Sequence, residues 1–376
     1  IIHAPNEDFK QLNDNAVVST SPTVANIWSD CYSKIYHASL IIEALQNSSG
    51  LTPSTRDRLL GEAKFIRAFC QFYLVNLFGD VPYVNSTDYR INTIAGRTDA
   101  PDVYAGIIQD LTDAQPLLDE VYINGDKGRV NKSAVVAFLA RVYLFLGDWP
   151  NAESSATQVI SNGLYDLSDI QDVFLKNSSE AIWQLIPANS QTNNYTNEGN
   201  LYFRTNSISL RTEFAETSFE PGDLRRQSWV GLDPNNSRYF TDKYGEQAGT
   251  GTGAEYSMVI RLAEVYLIRA EARAMQNNLT GPNGASADVS AMRARAGLTD
   301  ITANSQGAIL SAIEQERKVE LFNEWGHRWF DLVRYARARP ALSPLKPEWD
   351  DTDTLLPIPE SEMLINPNLK PQNPGY

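Results

Sequence analysis

The stretch Arg129–Gly163, "RVNKSAVVAFLARVYLFLGDWPNAESSATQVISNG", decides how this chain is read. Val135, Leu139, Val142 and Leu146 recur at intervals of three and four, so they share one face of a helix. Gly147 and Asp148 make a turn, and Ala152, Ala156, Val159 and Ile160 repeat the spacing on a second helix. Two amphipathic helices around a short turn, in about 34 residues, form one tetratricopeptide-like unit. Such a hairpin cannot bury its apolar stripe alone, so several must stack.

Similar patterns lie on both sides. From Val24 to Leu45, the residues Val24, Ile27, Cys31, Ile35, Ala38, Ile42 and Leu45 form a stripe, which "NSSGLTPS" ends. From Ser54 to Phe78 the stripe is Leu59, Ala63, Ile66, Cys70, Tyr73 and Leu77, and Gly79 stops it. These two helices are expected to form an antiparallel hairpin. Asp102–Leu118 adds a helix entered through Pro101. Downstream, "VIRLAEVYLIRAEARAMQNN" and "GPNGASADVSAMRARAGL" echo the first unit, and a further helix is predicted over Gln306–Phe322. The expected fold is mostly α: a tetratricopeptide-like superhelix of helical hairpins with an appended irregular, loop-rich lobe.

That lobe is Ile186–Tyr256. It shows little helical periodicity, yet it holds ten of the chain's 38 aromatic rings, among Asn, Thr, Gly and Ser rather than aliphatics. Tyr195, Tyr202, Trp229 and Tyr239, with Asn194 beside them and Trp349 further on, have no apolar period to absorb them. Sugar rings stack C–H patches on aromatic faces while their hydroxyls need amide and carboxylate partners, so these six residues are the candidate ligand contacts. The tail "LLPIPESEMLINPNLKPQNPGY" contains five prolines, which predict an extended strap and no helix. The chain thus reads as one domain over 1–376. Within it, 24–165 is an N-terminal helical frame, 186–256 the loop lobe, 257–340 C-terminal helical hairpins and 341–376 the strap.

Composition narrows the function. The 376 residues carry 32 Lys and Arg against 46 Asp and Glu, a net charge of −14, which opposes binding to nucleic acid. No apolar run approaches the roughly 20 residues of a membrane span. The abrupt start without methionine leads to the expectation that a leader and an early segment are missing. Cys31 and Cys70 lie at similar distances from Gly50, which allows a bridge across the hairpin, although reduced buried thiols are the expectation.

No enzyme motif emerges. His3, His37 and His327 lack metal-type spacing, and neither a nucleophile elbow nor a phosphate-binding loop is present. "GTGTGA" at Gly249–Ala254 fits a dinucleotide-loop pattern only formally, and is read as a flexible loop because no buried parallel strand precedes it. In "LFNEWGHRWFDLVRYARA", Leu321–Ala338, helical spacing gathers Trp325, Trp329 and Leu332, which predicts a framework helix with His327 as a structural partner. Trp28, Trp149 and Trp183 are likewise read as structural, Trp183 in a short buried strand.

Five stretches, in order, resemble the SusD/RagB family, surface glycan-binding lipoproteins of Bacteroidota nutrient-uptake systems. They are "GEAKFIRAFCQFYLVNLFGDVPYV", "GRVNKSAVVAFLARVYLFLGDWPNA", "VIRLAEVYLIRAEARA", "ERKVELFNEWGHRWFDLVRYAR" and "LPIPESEMLINPNLKPQNPGY". The resemblance implies a non-enzymatic, cofactor-free protein at the outer-membrane surface that binds an oligosaccharide and passes it to a SusC-like TonB-dependent transporter. It also implies a membrane link only through an N-terminal lipid anchor, and the anchoring cysteine is absent from this chain. His3 to Asn15 is expected to be what remains of one wall of the site, and Trp325, where the family has a small or acidic residue, is read as a packing variation. Peptide is the alternative ligand, and a protein-binding tetratricopeptide scaffold the alternative class.

Overall fold

The computed structural model describes residues 6–46, 48–176, 178–187, 194–203 and 208–376. Among them the chain divides into two compact units, one of residues 6–121, 130–135 and 332–376 and the other of 122–129 and 136–331. His3 and segments 188–193 and 204–207 of the loop lobe lie outside the described residues.

In the first unit the helices Pro22–Gln46 and Pro53–Phe78 form the predicted antiparallel hairpin. Thr52 caps the second by accepting from Thr55 N, and Pro53 occupies the first turn, where no N–H is needed. Trp28 is buried as expected, edge-on to Phe78 with ring centroids 5.0 Å apart. Arg67 binds Asp110 of the Ala100–Ala114 helix through two bonds of 2.7 Å and also donates to Ser39 Oγ, so one guanidinium ties three helices. Cys31 and Cys70 are both reduced, and the neighbouring Cys70 thiol holds the Cys31 thiol below the usual cysteine range.

The tail lies on this unit. Leu356 N donates to Leu77 O at 2.7 Å, and Asn373 Nδ2 donates to Phe78 O and Leu356 O. It is not helix-free: a six-residue helix, Glu360–Ile365, fits between Pro359 and Pro367. Proline at a helix entrance and again just beyond its end leaves one short helix untouched, which the proline count alone did not distinguish.

From Val136 onward the helix Lys132–Leu146 belongs to the second unit, and it meets the helix Trp149–Ser161 at Gly147, φ 70°, and Asp148, whose side chain accepts from Asn151 N. Leu262–Met275, Ala285–Arg295 and Gln306–Glu320 pack together through Ala270, Ala274, Ala285, Val289, Ile309 and Ile313. The predicted strand around Trp183 is present: Ala181–Leu185 runs antiparallel to Ser257–Arg261, with Trp183 opposite Ile260.

The loop lobe is more ordered than its composition suggests. It contains the short helices Asn197–Tyr202, Thr212–Thr217 and Leu224–Trp229, and a hairpin pairing Val230–Asp233 with Arg238–Thr241. A buried ion network supports this part. Arg225 binds Asp223, Glu316 and Glu320, while Arg261 binds Glu180, Glu320 and Glu324. Paired and hydrogen-bonded in this way, the buried charges are compensated.

Candidate functional site

A hollow of about 460 Å³ opens in the second unit. Tyr202, Leu210, Arg211 and Phe214 line one side, and Lys318, Asn323, Trp325, Arg328 and Trp329 the other. Apart from Lys318, the second group comes from Leu321–Ala338, which is not the single framework helix that its spacing predicts. The Gln306–Glu320 helix stops, residues 321–326 turn, and a new helix begins at His327. Asn323 (φ 54°), Trp325 (φ 40°) and Gly326 (φ 75°) are left-handed, which a continuous helix forbids.

Tryptophan in that region is strained, and such strain persists only where neighbours over-determine it. The neighbour is Glu324. Its buried carboxylate accepts from Arg261 Nε at 2.7 Å, Arg261 Nη2 at 2.8 Å and Lys243 Nζ at 2.6 Å. Burial pushes this carboxyl up, but Arg261 and Lys243 more than offset that and hold it below the usual range. At Gly326 a side chain would meet the Phe330 ring, in addition to the backbone penalty.

Trp325 and Trp329 are half-buried. They therefore present part of their faces to the hollow instead of serving only as packing. His327 behaves as expected of a structural residue: it is buried, 3.9 Å from Glu264, and burial pushes its pKa down to about 4. Lys318 is held below the usual lysine range, first by burial and then by the nearby charge of Arg328. Rings, guanidinium and ammonium donors and the Asn323 amide converge on one concavity, which suits a ligand with both C–H faces and many acceptor oxygens.

Of the six residues singled out in the sequence, Tyr202 alone lines this hollow. Trp229 is a correction: it is 2% exposed, donates Nε1–H to Ile170 O at 3.0 Å, stands edge-on to Phe174 and has Lys243 Nζ 4.7 Å from its ring centre. Its ring is a core element with no free face. Tyr239 is half-buried, donates its hydroxyl to Glu216 and lies against Arg226, and its carbonyl accepts from Leu210 N. Asn194 and the half-buried Tyr195 sit together against Gly251 and Gly253. Trp349 belongs to the other unit and is only 9% exposed, so it too offers little face.

The Gly249–Ala254 loop does cradle an anion, but the anion is its own. The N–H groups of Thr252, Gly253 and Ala254 all donate to the Glu246 carboxylate. The loop is closed on itself, and no dinucleotide is needed to explain its glycines. Among the described residues, no cluster of His, Cys, Asp and Glu could hold a metal, and no helix is long and apolar enough to cross a membrane.

Comparison with known proteins agrees with this architecture. A family model described as "Starch-binding associating with outer membrane" matches residues 3–144, and one described as "SusD family" matches residues 227–353. SusD-like protein P25 of Formosa agariphila is 27% identical over 417 residues, covering 92% of this chain and 78% of that protein. Among solved structures, a SusD superfamily protein from Parabacteroides distasonis superposes with a TM-score of 0.85 at 26% identity, covering 100% of this chain and 90% of that one. A laminarin binding SusD-like protein superposes with a TM-score of 0.79 at 27% identity, covering 93% and 86%. The fold is thus that of the SusD superfamily, mostly helical with few strands. The chain belongs to the SusD/RagB family.

Proposed function

We propose that this protein binds an oligosaccharide in the hollow between Tyr202 and Trp325–Trp329, as the glycan-binding component of a SusC/SusD-type uptake system at the outer-membrane surface. The observation that carries this reading is the pairing of half-buried rings with Lys318, Arg211 and Asn323 in one concavity. A solved relative that binds laminarin supports the ligand class. In this reading the protein holds the glycan without breaking a bond, is tethered by a lipid at its amino end, and has its variable contacts in the 186–256 lobe.

A TonB-dependent transporter is the proposed partner. Supporting it is an exposed apolar face on the first unit, where Tyr36 (44% exposed), Tyr89 (72%) and Ile365 (76%) border one groove. Apolar groups grouped in this way mark protein contact surfaces. Affinity electrophoresis against a panel of glycans, repeated with Trp325→Ala, tests the ligand half. Retained binding in the variant would place the ligand elsewhere. Co-purification with the transporter, repeated with Tyr89→Asp, tests the other half.

A further inference from the structure

The hollow is cationic in a chain whose net charge is −14. Arg211, Lys318 and Arg328 line it, and Glu324, the one acid among its described lining residues, is already bound by Arg261 and Lys243. Arg211 donates at 3.0 Å to Glu213, whose side chain is 72% exposed, a rim pair that solvent weakens. Lys318 is half-buried, its Nζ 5.8 Å from the Phe214 ring centre, and the favourable charges of Glu213 and Glu314 are outweighed by burial and by the charge of Arg328. An anionic ligand group would further stabilise this partly desolvated ammonium and the rim guanidinium of Arg211.

Resting on the glycan reading above, we propose that the hollow selects an acidic oligosaccharide, whose carboxylate or sulfate group lies against Lys318 and Arg211 while its ring faces lie on Trp325 and Trp329. Three probes of matched length test this by titration calorimetry: an oligouronate, a sulfated oligosaccharide and neutral laminarihexaose. The expected result is at least about tenfold tighter binding of one acidic probe than of the neutral one, weakening as salt rises. The uronate and sulfate arms tell the two anion sources apart. Lys318→Met should remove about tenfold of the acidic affinity, and Lys318→Arg should restore it. Neutral binding that equals acidic binding and is lost in Trp325→Ala would overturn the acidic preference and leave the glycan reading standing. Binding of all three probes untouched by Trp325→Ala would overturn both.

Cys31 and Cys70 carry a second, independent inference. Ala38 and Ala63 share one apolar cluster across the Pro22–Gln46 and Pro53–Phe78 hairpin. Each cysteine stands seven residues, about two helical turns, further from the connecting turn, so the same register brings the two thiols to the same level of the hairpin, where each is the other's neighbour. We infer that they close into an intramolecular disulfide when they meet a disulfide oxidant. Cys31 is the more exposed, and the neighbouring Cys70 thiol favours its thiolate. The thiolate attacks one sulfur of RSSR and releases RS⁻. Cys70 then loses its proton to solvent and attacks Cys31 Sγ, releasing a second RS⁻, so two protein thiols are oxidised as one RSSR becomes two RSH. Folded protein incubated with oxidised glutathione, then denatured, alkylated and weighed, should show no alkylated cysteine and the loss of two hydrogens. Cys70→Ser should stop at a glutathione adduct on Cys31. Two alkylated cysteines, or a persistent adduct in the unsubstituted chain, would overturn the inference.

Discussion

Lys243 Nζ donates to the Glu324 carboxylate at 2.6 Å, and both groups are shielded from solvent. Because Glu324 immediately precedes Trp325, this pair fixes the turn that presents the ring. Glu324→Ala leaves two buried cations short of an acceptor and should destabilise the protein by about 3–5 kcal/mol, read from urea unfolding. It should also weaken ligand binding, because the left-handed setting of Trp325 loses its anchor.

Trp229 and Trp329 should respond in opposite ways. Trp229→Phe keeps a ring in the core but deprives the Ile170 carbonyl of its donor, so stability should fall by about 1–3 kcal/mol with oligosaccharide affinity retained.

Trp329→Ala, by contrast, removes a partly exposed face from the hollow. Affinity should drop about tenfold or more, with a much smaller change in melting temperature. Calorimetric titration and thermal melts on the same two variants separate the outcomes.

Acid should destabilise the fold partly through His327. Its folded pKa, pushed down to about 4 by burial, lies below the unfolded value of 6.5, so the unfolded chain binds more protons between those limits. This contribution is fully present above pH 6.5 and is lost as pH falls toward about 4. Unfolding free energies at pH 7 and 5 should differ by about 2 kcal/mol more in the unsubstituted protein than in His327→Asn.

Helical periodicity found what periodicity encodes. The Gly147–Asp148 hairpin, the Pro22–Gln46 and Pro53–Phe78 pair and the Trp183 strand all follow from the spacing of apolar side chains. The turn at 321–326 escaped because Trp325, Trp329 and Leu332 keep helical spacing even though the backbone between Leu321 and His327 does not. Asn323 and Gly326, two residues that tolerate positive φ and stand three apart, were the available signal. Trp229 misled for another reason. The residues just before it, Arg225 to Ser228, are polar, while its cover comes from Phe174, Lys243 and Ile170, and local composition cannot show cover from that distance.

The left-handed backbone at Trp325 has a thermodynamic corollary. A ring wedged in place by the ions behind it has already surrendered its rotational freedom during folding. Capture of a flexible glycan then freezes the sugar but not the wall that receives it. Entropy loss on binding should come almost wholly from the ligand, and a stiffer, shorter oligosaccharide should therefore gain more here than it would on a mobile platform.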